Sequence, residues 1–183
     1  MNDKSIGLIE LSSVAAGFSV ADTALKAGNV KLLLSRSICS GKYMVLVAGE
    51  TAAVEAAIET ATEVANGCLI DKITIANLHP DVFQAIGRNS PAEPNGALGI
   101  VESFNVATLV RAADAAAKAA DIQLLEVRLA MALGGKAFFT CTGDVSSVQA
   151  AVQAARNVIS EAGVLVNAVV IPRPHPDVYR EVI

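Results

Sequence analysis

Apolar residues fall at two different spacings along this chain. Short apolar runs such as Ile6–Leu11 predict buried strands, whereas Thr51–Ala65 repeats apolar residues every three to four positions, as an amphipathic helix requires. Turn-forming pairs such as Gly28-Asn29 separate the runs. The first half therefore predicts strand, helix, strand, strand, helix, strand over residues 6–11, 19–27, 30–34, 43–47, 51–65 and 73–76.

The second half of the chain predicts the same order of elements again. These elements cover residues 98–103, 108–119, 122–128, 138–142, 145–159 and 168–171. The order β-α-β-β-α-β is that of the ferredoxin-like arrangement, in which both helices pack on one face of an antiparallel sheet. The predicted fold class is therefore α+β, with two ferredoxin-like domains in tandem.

Matching segments recur in register and support the duplication. Gly7-Leu8-Ile9-Glu10 recurs as Gly99-Ile100-Val101-Glu102, at a spacing of 92, and His79-Pro80-Asp81-Val82 recurs as His175-Pro176-Asp177-Val178, at a spacing of 96. Matches in a fixed order over nearly the whole chain indicate two copies of one domain. We predict domains at residues 1–90 and 96–183, joined by a short, turn-rich linker.

Composition excludes several classes of function. A net charge of −4, with 14 basic residues spread through both copies, provides no patch for nucleic acid. No apolar run is long enough to span a membrane, and no secretory signal is predicted. Three cysteines at unrelated positions indicate reduced thiols in the cytoplasm.

The chain has only two histidines and no phosphate-binding loop, so it is not expected to be an enzyme. Each histidine lies in a Pro-bounded segment without a nearby second ligand, and is predicted to be a turn residue.

Three segments together resemble the shell proteins of bacterial microcompartments. They are Gly7-Leu8-Ile9-Glu10, Ala21-Asp22-x-x-x-Lys26 and Ile171-Pro172-Arg173-Pro174-His175. Because both copies match, the chain resembles the tandem-domain members, whose trimers imitate the hexamers of single-domain members. The resemblance implies a structural, pseudohexameric homotrimer that joins other shell proteins in a microcompartment shell within the cytoplasm.

The resemblance also implies two sets of site residues. Lys26, Lys118 and Arg173 match residues at the edge where neighbouring rings meet, although the first copy has Asn77-Leu78-His79 in place of Arg173-Pro174-His175. The loops between the second and third strands of each copy correspond to those around the central pore. Their predicted pore-lining residues are Ser37, Ile38, Ser40 and Gly41 in the first copy, and Met131, Ala132, Leu133 and Gly134 in the second.

Cys39 stands in the first of these loops, where a glycine would be expected from the family. Three-fold symmetry would bring three Cys39 thiolates to one axis, which suits a soft metal centre. A [4Fe-4S] cluster has a three-fold axis, so three cysteines can bind three of its irons. One lineage of tandem shell proteins, found with propanediol-type compartments, carries such a cluster at its pore, and Cys39 matches its position. Cys68 and Cys141 are predicted to be packing residues.

Other interpretations of the sequence stay open. With a cluster, the pore would move electrons across the shell or supply clusters to enclosed redox enzymes. Without one, Cys39 would be a free thiol or a zinc ligand, and the pore would conduct a small metabolite. A third hypothesis is a soluble enzyme or ligand-binding protein with a duplicated ferredoxin-like fold, because fold alone does not dictate function.

Overall fold

A computed structural model of the chain describes residues 4–86, 95–130 and 133–180. These residues form two compact units. The first unit extends to Leu78 and includes the loop at 133–135 from the second copy. The second unit begins at His79 and contains the remaining described residues.

The first unit has one four-stranded sheet, with two helices on one face. The sheet is antiparallel, in the order β2-β3-β1-β4. Along the chain, the strands and helices of this unit follow the predicted order β-α-β-β-α-β. The elements are β1 (Ser5–Leu11), α1 (Val14–Ala27), β2 (Lys31–Ile38), β3 (Lys42–Gly49), α2 (Thr51–Glu63) and β4 (Leu69–Ile75), with a 3₁₀ turn at Cys39–Gly41.

Apolar side chains from both helices and the sheet form the core of this unit. Ile9 on β1, Val45 on β3 and Val54 on α2 are all fully buried in it. Every residue of β1 is buried, as the continuous apolar run predicted for this strand. The close approach of α1 to the sheet depends on Gly17, since a Cβ atom there would lie 2.1 Å from a ring carbon of Tyr43.

The structure corrects several predicted boundaries in the first unit, including that of the last strand, which begins at Leu69 and not at residue 73. The first helix begins at Val14 rather than at residue 19, because Ser13 caps it by accepting the backbone N–H of Ala16 at 3.3 Å. The predicted turn at residues 37–41 is also wrong in part. Ser37 and Ile38 continue β2 and pair with β3, so the turn itself is limited to Cys39–Gly41.

The second unit repeats this architecture and carries two further helices. Its antiparallel sheet has the order β6-β7-β5-β8, with α4 and α5 packed against it. The elements are α3 (Pro80–Ile86), β5 (Ala97–Ser103), α4 (Val106–Ala119), β6 (Gln123–Arg128), β7 (Ala137–Gly143), α5 (Val145–Glu161), β8 (Leu165–Ile171) and α6 (Pro176–Arg180). No described helix is long and apolar enough to cross a membrane.

The short helices α3 and α6 were not predicted from the sequence. Each begins at the proline of a His-Pro-Asp segment, which suits the first helical position because proline lacks an N–H. Nδ1 of His79 accepts the backbone N–H of Asp81 at 3.3 Å, and Nδ1 of His175 accepts that of Asp177 at 3.2 Å. Both histidines therefore stabilise a local turn, in agreement with the interpretation from sequence.

Candidate metal-binding turn and its surroundings

The turn that carries Cys39 lies at the end of the β2–β3 hairpin. Ile38 and Lys42 form the last pair of this hairpin, and the Ile38 side chain is buried, which anchors the turn to the first unit. Gly41 has a φ of +73°, a left-handed conformation that glycine adopts without steric cost. Cys39 is half-buried and therefore partly accessible at the end of the hairpin.

A backbone group from the other predicted pore loop contacts the Cys39 sulfur. The N–H of Leu133 donates a hydrogen bond to Sγ of Cys39 at 3.3 Å, within the first unit. Two residues that the sequence assigned to one opening are thus brought together, although they are 94 positions apart. An N–H donor favours the thiolate form of a cysteine, and hydrogen bonds to sulfur tune the potential of iron–sulfur centres.

The loop that supplies Leu133 has an unusual backbone. Ala130, Gly134 and Gly135 have φ values of +51°, +61° and +87°, all in the left-handed region. Gly134 is exposed, and a Cβ atom there would meet no neighbour. The predicted pore residues Met131 and Ala132 lie outside the described residues. The two glycines adopt these left-handed conformations without steric cost directly after Leu133, whose N–H contacts Cys39.

An equivalent lysine–glutamate ion pair stabilises the hairpin beside each of the two loops. Lys42 Nζ lies 2.9 Å from Oε1 of Glu10, which is fully buried, and Lys136 Nζ lies 2.8 Å from Oε1 of Glu102. Lys42 is the first residue of β3 and Lys136 directly precedes β7, and each lysine is tied to the first strand of its own sheet. The two repeated glutamates therefore hold the hairpins in place, which agrees with a structural rather than a catalytic role.

The other two cysteines pack against apolar parts of their units. Cys68 is half-buried, like Cys39, but packs against the core of the first unit, and its carbonyl accepts the N–H of Ser12 at 2.8 Å. Cys141 is buried beside Gly99, and this burial raises the pKa of its thiol to about 12. Both environments fit the packing role predicted for these cysteines.

Cys141 is expected to resist thiol reagents in the folded protein at about pH 8, because the thiolate is the reactive form. In a Cys39→Ala, Cys68→Ala variant, thiol titration should detect no cysteine before unfolding in urea and one afterwards. In the unfolded chain the Cys141 thiol has a pKa of about 9. Burial of the protonated thiol therefore contributes fully to the free energy of unfolding below pH 9, and this contribution is lost as pH rises towards 12. Equal labelling rates before and after unfolding would contradict this.

The residues predicted to lie at a ring edge occupy different environments. Lys26 is exposed and pairs with Asp22 at 2.6 Å, whereas Lys118 pairs at 2.6 Å with Asp114, whose side chain is almost fully buried. Arg173 is exposed after β8. Their role at an edge stays a prediction, and Lys118 has a second role in neutralising Asp114.

Within the described part of a single chain, no three His, Cys, Asp or Glu side chains lie close enough to hold a metal ion. A centre with several cysteine ligands at Cys39 would therefore need more than one chain. This is the arrangement that three-fold symmetry about the turn would create, since each chain would provide one thiolate.

Comparison with known families identifies both repeats. The BMC domain matches residues 5–78 and again residues 97–174. The chain belongs to the BMC-domain family. Both matches lie within the domains predicted from the internal repeat.

Relatives of this BMC-domain protein share its tandem organisation or half of it. It is 40% identical over 180 residues to the bacterial microcompartment shell protein PduT of Citrobacter freundii, with 98% of each chain covered. It is 38% identical over 81 residues to the shell protein EutM of Salmonella typhimurium, covering 44% of this chain and 82% of EutM. EutM thus corresponds to about one of the two repeats.

Solved structures agree with this assignment. A microcompartment protein from Desulfitobacterium hafniense DCB has a TM-score of 0.88 at 44% identity, covering 96% of this chain and 98% of the other. The fused permuted hexameric shell protein MSM0275 from the RMM microcompartment shares the fold, with a TM-score of 0.64 at 23% identity over 85% and 81% of the two chains. The BMC-domain protein is therefore a tandem-domain microcompartment shell protein with a structural role, and the alternative of an enzyme is set aside.

Proposed function

We propose that three copies of this BMC-domain protein form a pseudohexameric tile of the shell, whose central pore binds one [4Fe-4S] cluster through Cys39 of each chain. The observation that carries the proposal is the hydrogen bond from the Leu133 N–H to the Cys39 sulfur. The tile would join other shell proteins and exchange electrons with redox enzymes enclosed in the compartment.

The trimer is supported by the duplication itself. Each chain supplies two similar units, so three chains provide the six positions of a ring. Interfaces that join unlike surfaces head to tail form a closed ring when the rotation closes. Rotation about the three-fold axis then relates the Cys39 turns of all three chains, whereas the second repeat contributes its glycine-containing loop between them.

The donor set at the turn fits an iron–sulfur cluster. Cys39 is half-buried at the end of a hairpin, and its sulfur accepts a backbone N–H, as suits a thiolate ligand. Ile38 anchors the turn and Gly41 permits its tight geometry. When bound, the cluster would supply one-electron transfer at the pore. The chain's residues would hold the thiolates in place and limit the access of water to them.

Two measurements test this proposal together. Light scattering of purified protein should give a mass three times the 18.8 kDa of one chain. Anaerobic reconstitution with iron and sulfide should give a brown protein with about four irons per trimer. A monomer would overturn the tile. A trimer that binds no iron or only zinc would overturn the cluster and favour a metabolite pore, the second role open from the sequence.

Ring edges are expected to carry the contacts between tiles. Lys26→Glu combined with Arg173→Glu should abolish sheets or tubes in electron micrographs while the trimer persists, because both side chains are exposed in the chain. Lys118 is unsuitable for this test because its loss would leave the buried Asp114 without its lysine. Lys72→Glu, at another exposed lysine, is the matched control. Unchanged sheets in the double variant would show that the edge lies elsewhere.

A further inference from the structure

The sulfur of Cys39 accepts a hydrogen bond from the second repeat, although Cys39 itself belongs to the first. The donor is the backbone N–H of Leu133, whose nitrogen lies 3.3 Å from Sγ. Residues 133–135 are part of the first compact unit, whereas the strands that precede and follow them, β6 and β7, belong to the second. The other copy of the domain therefore supplies a group to the unit that holds the cysteine.

The two copies differ in the length and chemistry of this loop. Arg36 and Lys42 flank the Cys39 turn and are six positions apart, whereas their counterparts Arg128 and Lys136 are eight positions apart. The longer loop contains no cysteine. One copy therefore provides a thiol, and the other provides a backbone donor from a loop with two additional residues.

The longer loop is anchored at both of its ends. Leu129 and Ala130, at its start, are almost fully buried. At its end, Nζ of Lys136 lies 2.8 Å from Oε1 of Glu102 on β5, and the next residue begins β7. These anchors restrict the course of the main chain between them. They therefore position the N–H of Leu133 at the sulfur.

A hydrogen-bond donor at this sulfur acts on a bound iron–sulfur centre through its charge. The N–H group presents the positive end of its dipole to the ligand sulfur. Reduction adds one negative charge to the centre, so the dipole stabilises the reduced form more than the oxidised form. Hydrogen bonds to the sulfur atoms are among the factors that set the potentials of such centres. A donor at Cys39 would therefore raise the reduction potential.

We infer that Leu133 is a positioning residue, whose backbone N–H raises the reduction potential of the cluster held by Cys39. This inference rests on the proposed cluster and gives the two copies of the domain different tasks. The first copy binds iron, and the second copy sets the potential at which the iron is reduced. Rotation about the three-fold axis of the proposed trimer repeats the donor at each thiolate, so three such hydrogen bonds act on one cluster.

Removal of this N–H tests the inference. Leu133→Pro lacks the backbone donor, whereas Leu133→Ala keeps the donor and shortens the side chain. Redox titrations of the reconstituted trimers, followed by the low-temperature paramagnetic signal, should give a more negative midpoint potential for the proline variant. The alanine variant should have the potential of the wild type. The iron content should stay at about four per trimer in all three proteins.

A second replacement controls for distortion of the loop by proline. The α-hydroxy acid analogue of leucine at position 133 keeps the side chain and replaces the N–H by an ester oxygen, so it should also lower the potential. If all these proteins bind iron at one potential, the cluster stands and the inference is wrong. Equal shifts in the alanine and proline variants would also overturn it, because the side chain would then be responsible. If the wild type binds no iron, the proposed cluster and this inference fail together.

Discussion

Cys39→Ala is expected to reduce the iron content of anaerobically reconstituted protein from about four atoms per trimer to none. Each chain would lose the thiolate that it is proposed to contribute at the axis, and the described residues of a single chain include no group of three His, Cys, Asp or Glu side chains that could hold the metal instead. The visible absorption and the low-temperature paramagnetic signal of the reduced wild type should disappear with the iron. The trimer should persist, since Cys39 lies on a turn and not in the core.

The other two cysteines provide matched controls for this result. Cys68→Ala and Cys141→Ala remove a thiol of the same chemistry from packed positions, so both should keep about four irons and the colour. Equal iron in wild type and Cys39→Ala would contradict the proposed cluster. Loss of iron in all three variants alike would indicate binding that depends on general stability and not on the turn.

Phe139→Ala is expected to lower the free energy of unfolding by about 3–5 kcal/mol, the cost of deleting a large, buried aromatic side chain. Phe139 is the largest fully buried side chain of the second unit and lies on β7, paired with Val101 on β5. The cavity would open inside the sheet that also carries the Lys136–Glu102 pair. Urea denaturation at a fixed protein concentration measures the change.

The neighbouring residue on the same strand is the control for this substitution. Phe138 points to the other face of the sheet, is only partly buried, and has the guanidinium of Arg128 at 5.1 Å from its ring centroid. Phe138→Ala should therefore cost about 1 kcal/mol, from a partly exposed cation–π contact. Equal losses from the two substitutions would show that the alternation of faces along β7 is misassigned.

Much of the fold could be predicted because its pattern is local and occurs twice. The apolar periods of β1 and α2 follow directly from the spacing of residues such as Ile9 and Val54, and the repeat checks each element against its counterpart. The start of α1 was missed because Gly17 is unfavourable in a helix interior. The cap at Ser13 was the signal that could have identified it.

The site was predictable in its residues but not in its contacts. Cys39 stands out in sequence as an unusual residue in a glycine-containing turn. The hydrogen bond from Leu133 depends on a chain reversal over 94 positions, which no local pattern encodes. The environment of Asp114 was likewise hidden, because Asp22 and Asp114 both follow an alanine and both precede a lysine by four positions, whereas only Asp114 lies beside α3.

Helix α3 follows the first repeat in sequence but packs within the second unit, and this link between the repeats affects how readily the protein assembles. A contact made within one chain forms at a rate independent of protein concentration, because the tether fixes a high effective concentration. A ring of six separate domains would have to collect six molecules. In the proposed trimer the two domains of each chain are already joined covalently, so the ring should assemble from more dilute protein than a ring built from six single-domain chains.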